Sequence, residues 1–226
     1  MSNSKTKQPI EAIIFDMDGV LIDSREMIYR AMEDVLASRG ITGVTRQHMA
    51  EVTGKPIAEM YRILAPGLDL LELEKLHLDH HAENPHLLQG FDGTETTLKT
   101  LQENSYKLGV FTGFNQLSYE RLDQFNLRGY FGHIVETSQY KEHKPHPEGL
   151  FLCMEKLGTT PDRAVYIGDG VSDMLVGHAA QVHTTIGITT GFGSSEALQD
   201  AGADHIISSL RELLPILDTI SSNDDA

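Results

Sequence analysis

Ala12-Ile13-Ile14-Phe15-Asp16-Met17-Asp18-Gly19-Val20 is the stretch whose reading decides the fold. A short apolar, β-branched run stops abruptly at Asp16 and Gly19, which predicts a buried strand ending in a turn. Working outward, similar runs recur at residues 108–111, 133–135, 164–167 and 184–188. Helical patterns lie between them. Leu150, Cys153/Met154 and Leu157 have the spacing of one buried helix face, opened by Pro147 and closed by Gly158. Strands alternating with helices predict an α/β fold, a Rossmann-like, mostly parallel sheet covered on both faces.

Residues 24–91 break the alternation. Met27, Ile28, Ala31, Val35 and Leu36 form a helical stripe ended by Gly40, residues 56–64 and 70–81 continue helically, and no strand intervenes. The division predicted is a catalytic core of residues 1–23 and 92–226, with an all-helical cap of residues 24–91 inserted after the first strand. Such an insertion would sit over the carboxyl ends of the strands, where open parallel sheets bind ligands.

Composition narrows the functions. The 226 residues suffice for one substantial core and a small accessory domain. A net charge of −15 opposes binding to nucleic acid and to anionic membranes. Residues 1–9 lack the apolar stretch of a secretory signal, and no run approaches the roughly 18 apolar residues of a membrane span. The single Cys153 permits no internal disulfide and reads as a buried small hydrophobe. The expectation is a cytoplasmic protein, monomer or homodimer being left open, with a frayed polar tail at residues 221–226.

The chemistry follows from what succeeds each strand: Asp16 and Asp18, then Thr112, then Asp169 and Asp173, with Lys144 in a loop before a helix. All should face one edge of the sheet. Carboxylates gathered there repel one another unless a hard cation binds among them, and oxygen-only donors suit Mg²⁺ better than Zn²⁺. Such a metal takes substrate phosphate as a ligand, while Lys144 and Thr112 offer a positive charge and a hydroxyl donor, so the set suits phosphoryl transfer.

The motifs Ile13-Ile14-Phe15-Asp16-Met17-Asp18-Gly19, Phe111-Thr112-Gly113, Lys144-Pro145-His146-Pro147-Glu148 and Ile167-Gly168-Asp169-Gly170-Val171-Ser172-Asp173, in that order, resemble the haloacid dehalogenase-like hydrolase superfamily. The resemblance is to its phosphatases with a helical cap, the group of phosphoglycolate phosphatases and β-phosphoglucomutases. It implies that Asp16 is a nucleophile forming an aspartyl phosphate. Asp18 would be the general acid and then the base, a role worth ~10²–10⁴-fold in rate. Thr112 and the Gly113 N–H would bind phosphoryl oxygens, and Lys144 would neutralise Asp16 and the transferring group. Asp16, the Asp18 main-chain carbonyl and Asp169 would ligate Mg²⁺, with Asp173 holding a metal-bound water.

Each residue has a plainer reading. Asp-x-Asp-Gly alone is often a turn or calcium-like loop, but no Glu closes an EF-hand frame here. Asp169 and Asp173 would also cap the helix beginning near Val171, which is compatible with metal binding. Gly54 and Lys55 form either a substrate-facing loop, Lys55 reaching a substrate anion, or only a turn into a helix with Pro56 at its first position. The pairs His80/His81 and His143/His146 read as solvated side chains, since no Cys joins them in a metal site. Gly191-Phe192-Gly193 lacks the third glycine of a dinucleotide fingerprint, Glu196 standing there.

Departures within the family discriminate among activities. Phosphonate-cleaving relatives carry Ala where this chain has Asp18, although Thr112-Gly113-Phe114 and Val171-Ser172-Asp173-Met174 look like theirs, and their cap lysine has no secure counterpart. β-Phosphoglucomutases place a His where this chain has Ile28. Hydrolysis of a small phosphorylated metabolite, phosphoglycolate or a sugar phosphate, fits best. The alternatives are a phosphonatase-type C–P hydrolase, β-phosphoglucomutase-like transfer, or a non-catalytic phospho-ligand-binding protein, which would have lost Asp16, Asp18 or Lys144. Phe114 stands where phosphatases often have a small or polar residue.

Overall fold

The computed structural model describes residues 10–114 and 117–224. Residues 1–9 lie outside them. Strand β1 (Ala12–Phe15) is wholly buried, as its unbroken apolar run requires. The chain then forms β2 (Ile22–Asp23) and the helices α1 (Arg25–Ser38), α2 (Arg46–Val52), α3 (Ile57–Leu64) and α4 (Leu70–Glu83). It returns through β3 (Gln89–Gly90), which pairs antiparallel with β2 to make a two-stranded ribbon at the crossing. There follow α5 (Thr94–Glu103), β4 (Lys107–Phe111), α6 (Ser118–Gln124), β5 (His133–Val135), α7 (Glu148–Leu157) and β6 (Ala164–Gly168). The chain ends with α8 (Val171–Ala180), β7 (Thr184–Ile188), α9 (Ser195–Asp200), β8 (His205–Ile207) and α10 (Leu213–Asp224).

Six parallel strands form one sheet in the order β5-β4-β1-β6-β7-β8, so β1 lies inside it, with Ala12 opposite Lys107 and Ala164. Period-two alternation divides its side chains between two cores. Ile13 and Phe15 pack on one face with Leu98, Leu122 and Leu213, while Ile14 packs on the other with Leu150, Cys153 and Val176. Burial pushes the Cys153 thiol up to about 12, so it behaves as the inert hydrophobe expected. The helices α1–α4 enclose a third apolar cluster of their own, including Met32, Val35, Met49, Tyr61 and Leu73. Among the described residues no helix is long and apolar enough to cross a membrane.

The five expected strands form, but β2, β3, β8 and α2 are additions. The two-residue strands β2 and β3 carry no period of their own, β8 is three residues long, and α2 is a seven-residue helix marked by its cap, Thr45 Oγ1 accepting from His48 N at 3.3 Å. Pro56 precedes the first turn of α3 rather than opening it. The tail expected to fray from residue 221 continues α10 to Asp224, and residues 225–226 lie outside those described.

Candidate active site

Asp16, Thr112 and Asp169 directly follow β1, β4 and β6, whereas Lys144 comes from the loop before α7 and Asp173 from the first turn of α8. Asp16 follows β1, its N–H donating to Ile167 O at 2.8 Å, and the chain turns at Gly19, where φ is +78°. A side chain at Gly19 would meet the Asp169 carboxylate and the Gly191 backbone, so only glycine fits this turn. Thr112 follows β4 and is buried. Its Oγ1 accepts from Phe114 N at 3.1 Å, which leaves the hydroxyl proton to be donated. Gly113 is exposed beside it, at the cavity edge.

The centre of the site is Lys144. Its Nζ lies 2.7 Å from Asp173 Oδ1 and 3.1 Å from Asp16 Oδ1. Burial alone would pull this ammonium down, but the charges of Asp16 and Asp173 outweigh it and hold Lys144 above the ordinary lysine value. The contact with Asp16 lacks hydrogen-bond alignment, so Asp16 Oδ1 is buried with acceptor capacity unused. Asp173 is fully engaged: Tyr166 Oη donates to its Oδ1 at 2.8 Å, and the N–H of Gly170 donates to its Oδ2 at 3.0 Å. Asp169 Oδ2 accepts from Phe192 N at 2.8 Å.

Asp16, Asp169 and Asp173 each offer an oxygen within 4.8 Å of the others. Burial, opposed by Lys144 and reinforced by Asp173 and Asp18, pushes Asp16 up to about 7, and burial with Asp173 and Asp16 raises Asp169 well above the usual carboxylate range. An all-oxygen cluster under this strain, with an unused oxygen on Asp16, fits a hard divalent cation. Asp16 and Asp169 have oxygens to give it; Asp173 is held for positioning.

A cavity of about 90 Å³ separates these residues from the helical unit. Gly54 and Lys55, in the loop between α2 and α3, border it. Lys55 is half-exposed, with Nζ 3.8 Å from Glu59 Oε1, so the turn into a helix and the cavity-facing position coexist. His143 and His146 are exposed, as expected. His81 is not: it is 1 % exposed, because it falls with Leu73 and His77 on the inner stripe of α4. The solvated reading of His80/His81 is therefore corrected, and His80 too is largely covered, 3.2 Å from Asp34.

Sequence reasoning missed Arg121. This residue of α6 is 3 % exposed, and its Nη1 donates to Asp18 Oδ1 at 3.0 Å. Its guanidinium stacks on Phe114 at 4.0 Å from the ring centre, which gives that aromatic residue a purpose. The signal was available: Ser118, Arg121, Leu122 and Phe125 share helical spacing, so Arg121 stands on an apolar stripe where a charge requires a partner.

Residues 13–186 match the haloacid dehalogenase-like hydrolase family. A phosphorylated carbohydrates phosphatase of Thermotoga maritima is 30% identical over 217 residues, covering 91% of this chain and 100% of the relative. The pyrophosphatase PpaX of Bacillus pumilus is 28% identical over 209 residues, covering 92% and 96%. In fold, a haloacid dehalogenase-like family hydrolase from Streptococcus pneumoniae superposes with a TM-score of 0.82 at 22% identity, covering 92% of this chain and 98% of that one. The chain belongs to the haloacid dehalogenase-like hydrolases. Both relatives named above are hydrolases of phosphorylated compounds, one of phosphorylated carbohydrates and one of pyrophosphate.

Proposed function

We propose that this protein is a Mg²⁺-dependent phosphatase that hydrolyses a small phosphorylated metabolite, of phosphoglycolate or sugar-phosphate type, through an aspartyl phosphate on Asp16. Residues 24–91 act as its cap over a core of residues 1–23 and 92–226. The observation that carries the reading is Lys144, buried between Asp16 and Asp173 at the sheet edge. A cation there lowers the barrier to anionic phosphate approaching an anionic nucleophile.

Asp16 attacks phosphorus; the new Asp16 O–P bond forms as the ester P–O bond breaks, and Asp18 gives a proton to the leaving oxygen. Asp18 then takes a proton from water, whose oxygen bonds to phosphorus as the aspartyl P–O bond breaks, regenerating both carboxyl groups. Thr112 Oγ1–H and the Gly113 N–H orient phosphoryl oxygens. Mg²⁺, held by Asp16, the Asp18 main-chain carbonyl and Asp169 with Asp173 behind, supplies charge neutralisation when bound. Lys55 and Gly54, from the cap, face the leaving group.

Turnover of phenyl phosphate with Mg²⁺ or with excess chelator tests this, alongside Asp16→Asn, which removes the nucleophilic charge while nearly preserving shape. Loss of at least ~10³-fold in both arms is expected. Full turnover in chelator, or near-native kcat in the variant, would refute it.

A further inference from the structure

Helix α4 presents His77 and His81 one turn apart, both buried and both on the cavity wall, with ring centres 4.4 Å apart. His77 Nδ1 lies 2.9 Å from the Tyr61 hydroxyl, and His81 Nδ1 lies 2.8 Å from Arg121 Nη2. A guanidinium has only donors, so His81 Nδ1 accepts, and the proton of the neutral ring sits on Nε2. That Nε2–H is buried and has no partner among the described residues. Burial, then His77 and Arg121, keep His81 far below the ordinary histidine value, and burial holds His77 down at about 3, so neither ring takes a second proton.

A buried donor without an acceptor carries a desolvation cost that a bound acceptor removes. The cavity wall carries Ile28, Ile57, Met60 and Phe192 beside the polar Thr53, Lys55 and Ser172, and no acceptor among the described residues reaches Nε2. The guanidinium that fixes this tautomer also donates to Asp18 Oδ1 at 3.0 Å, so one side chain links the cap helix to the carboxylate that serves the leaving group. Met27 Sδ, 3.5 Å from Nη2, and the Phe114 ring close the remaining sides of Arg121.

We propose that His81 reads the leaving group, its Nε2–H donating to an oxygen acceptor on it, and that Arg121 is the positioning residue that sets the His81 tautomer while tethering Asp18. This rests on the phosphatase reading and narrows it. The substrate class is a short-chain phosphomonoester with a carboxylate or hydroxyl acceptor beyond the ester oxygen.

The test compares kcat/KM for 2-phosphoglycolate and glycerol 1-phosphate, which carry such acceptors, with ethyl and phenyl phosphate, which do not. In the native enzyme the first pair, or one of its members, is expected to be preferred. In His81→Leu that preference should fall by about 10–100-fold, the worth of one buried hydrogen bond, and His81→Gln, which keeps a donor, should recover part of it. Arg121→Met should lower the same preference and also slow all poor leaving groups through Asp18. ¹⁵N spectra of the native protein should show His81 protonated at Nε2 and bare at Nδ1, independently of any variant. Equal losses on all four substrates in His81→Leu, no native preference, or a proton on Nδ1 would each overturn the proposal. Turnover of phenyl phosphate with unaltered ranking defeats His81 alone, whereas an enzyme inert toward every ester defeats the phosphatase reading with it.

Discussion

Withdrawing divalent metal from this protein should make its stability fall as pH rises, and adding Mg²⁺ should reverse that fall. The argument begins with Asp16, pushed from 3.8 to about 7 chiefly by burial. Because the folded value exceeds the unfolded one, the penalty is absent below about pH 4, grows between pH 4 and 7, and is complete above 7. The gap corresponds to on the order of 4 kcal/mol at most. For a chain of this length each kcal/mol moves Tm by about 2–4 °C, so in chelator the metal-free fold should lose on the order of 10 °C across that window from this group. On the proposed reading Mg²⁺ would bind the ionised carboxylates and compete with protons on Asp16 and on Asp169, which is raised in the same direction. Its affinity should therefore fall about tenfold per pH unit below 7 for each proton displaced. Calorimetric unfolding at pH 5.5 and pH 8, in chelator and in Mg²⁺, reads the effect as a larger Mg²⁺-induced rise in Tm at pH 8. Titration of Mg²⁺ at pH 6 in buffers of different ionisation enthalpy should show proton release. Equal Tm increments at the two pH values, with no proton released, would refute the reasoning.

Lys144→Met leaves Asp16 and Asp173 facing each other without their shared cation. It should cost about 3–5 kcal/mol in denaturant unfolding and damage turnover of every substrate alike. Asp18→Ala should slow esters with poor alkoxide leaving groups by about 10²-fold or more while sparing phenyl phosphate by comparison, which kcat/KM across a leaving-group series would check. Lys55→Ala, at a half-exposed residue on the cavity rim, should reorder a panel of phosphorylated substrates with little effect on folding, and an unchanged order would leave Lys55 only its pairing with Glu59.

The sheet-edge chemistry was legible because strands announce themselves by unbroken apolar runs and a parallel sheet delivers their next residues to one edge. Asp16, Thr112 and Asp169 needed no knowledge of packing to be placed together. The helical unit was legible only as an interruption. Which of its side chains face the cavity depends on how four amphipathic helices pack, and the two-residue strands β2 and β3 exist only because they find each other across the insertion. His81 was misread as solvated because histidine at a helix surface is the common case, yet its spacing from Leu73 and His77 put it on the covered stripe. Arg121 emerges only once packing brings α6 against Asp18 and His81, because the sequence pattern gives the stripe but not the partner.

Arg121 completes the electrostatics of the site. Four carboxylates, those of Asp16, Asp18, Asp169 and Asp173, converge on the cavity floor, and Lys144 and Arg121 are the buried cations paired with them. With all six ionised, this set carries two negative charges in excess, which a divalent cation balances and a monovalent one does not. Without that cation, burial first and the crowded carboxylates second favour retained protons, and Asp16 and Asp169 are both raised. Arg121 thus matters to the metal as well as to Asp18. Were it neutral, Asp18, whose charge already raises Asp16, would lose the guanidinium 3.0 Å from its Oδ1. Under the proposed mechanism, Arg121 would hold the acid–base Asp18 on one side of the cavity, while Lys144 holds Asp16 and Asp173 together. On that reading the two cations would divide one crowded cluster of carboxylates into a metal-and-nucleophile half and a proton-transfer half, a division suited to chemistry at a phosphate ester.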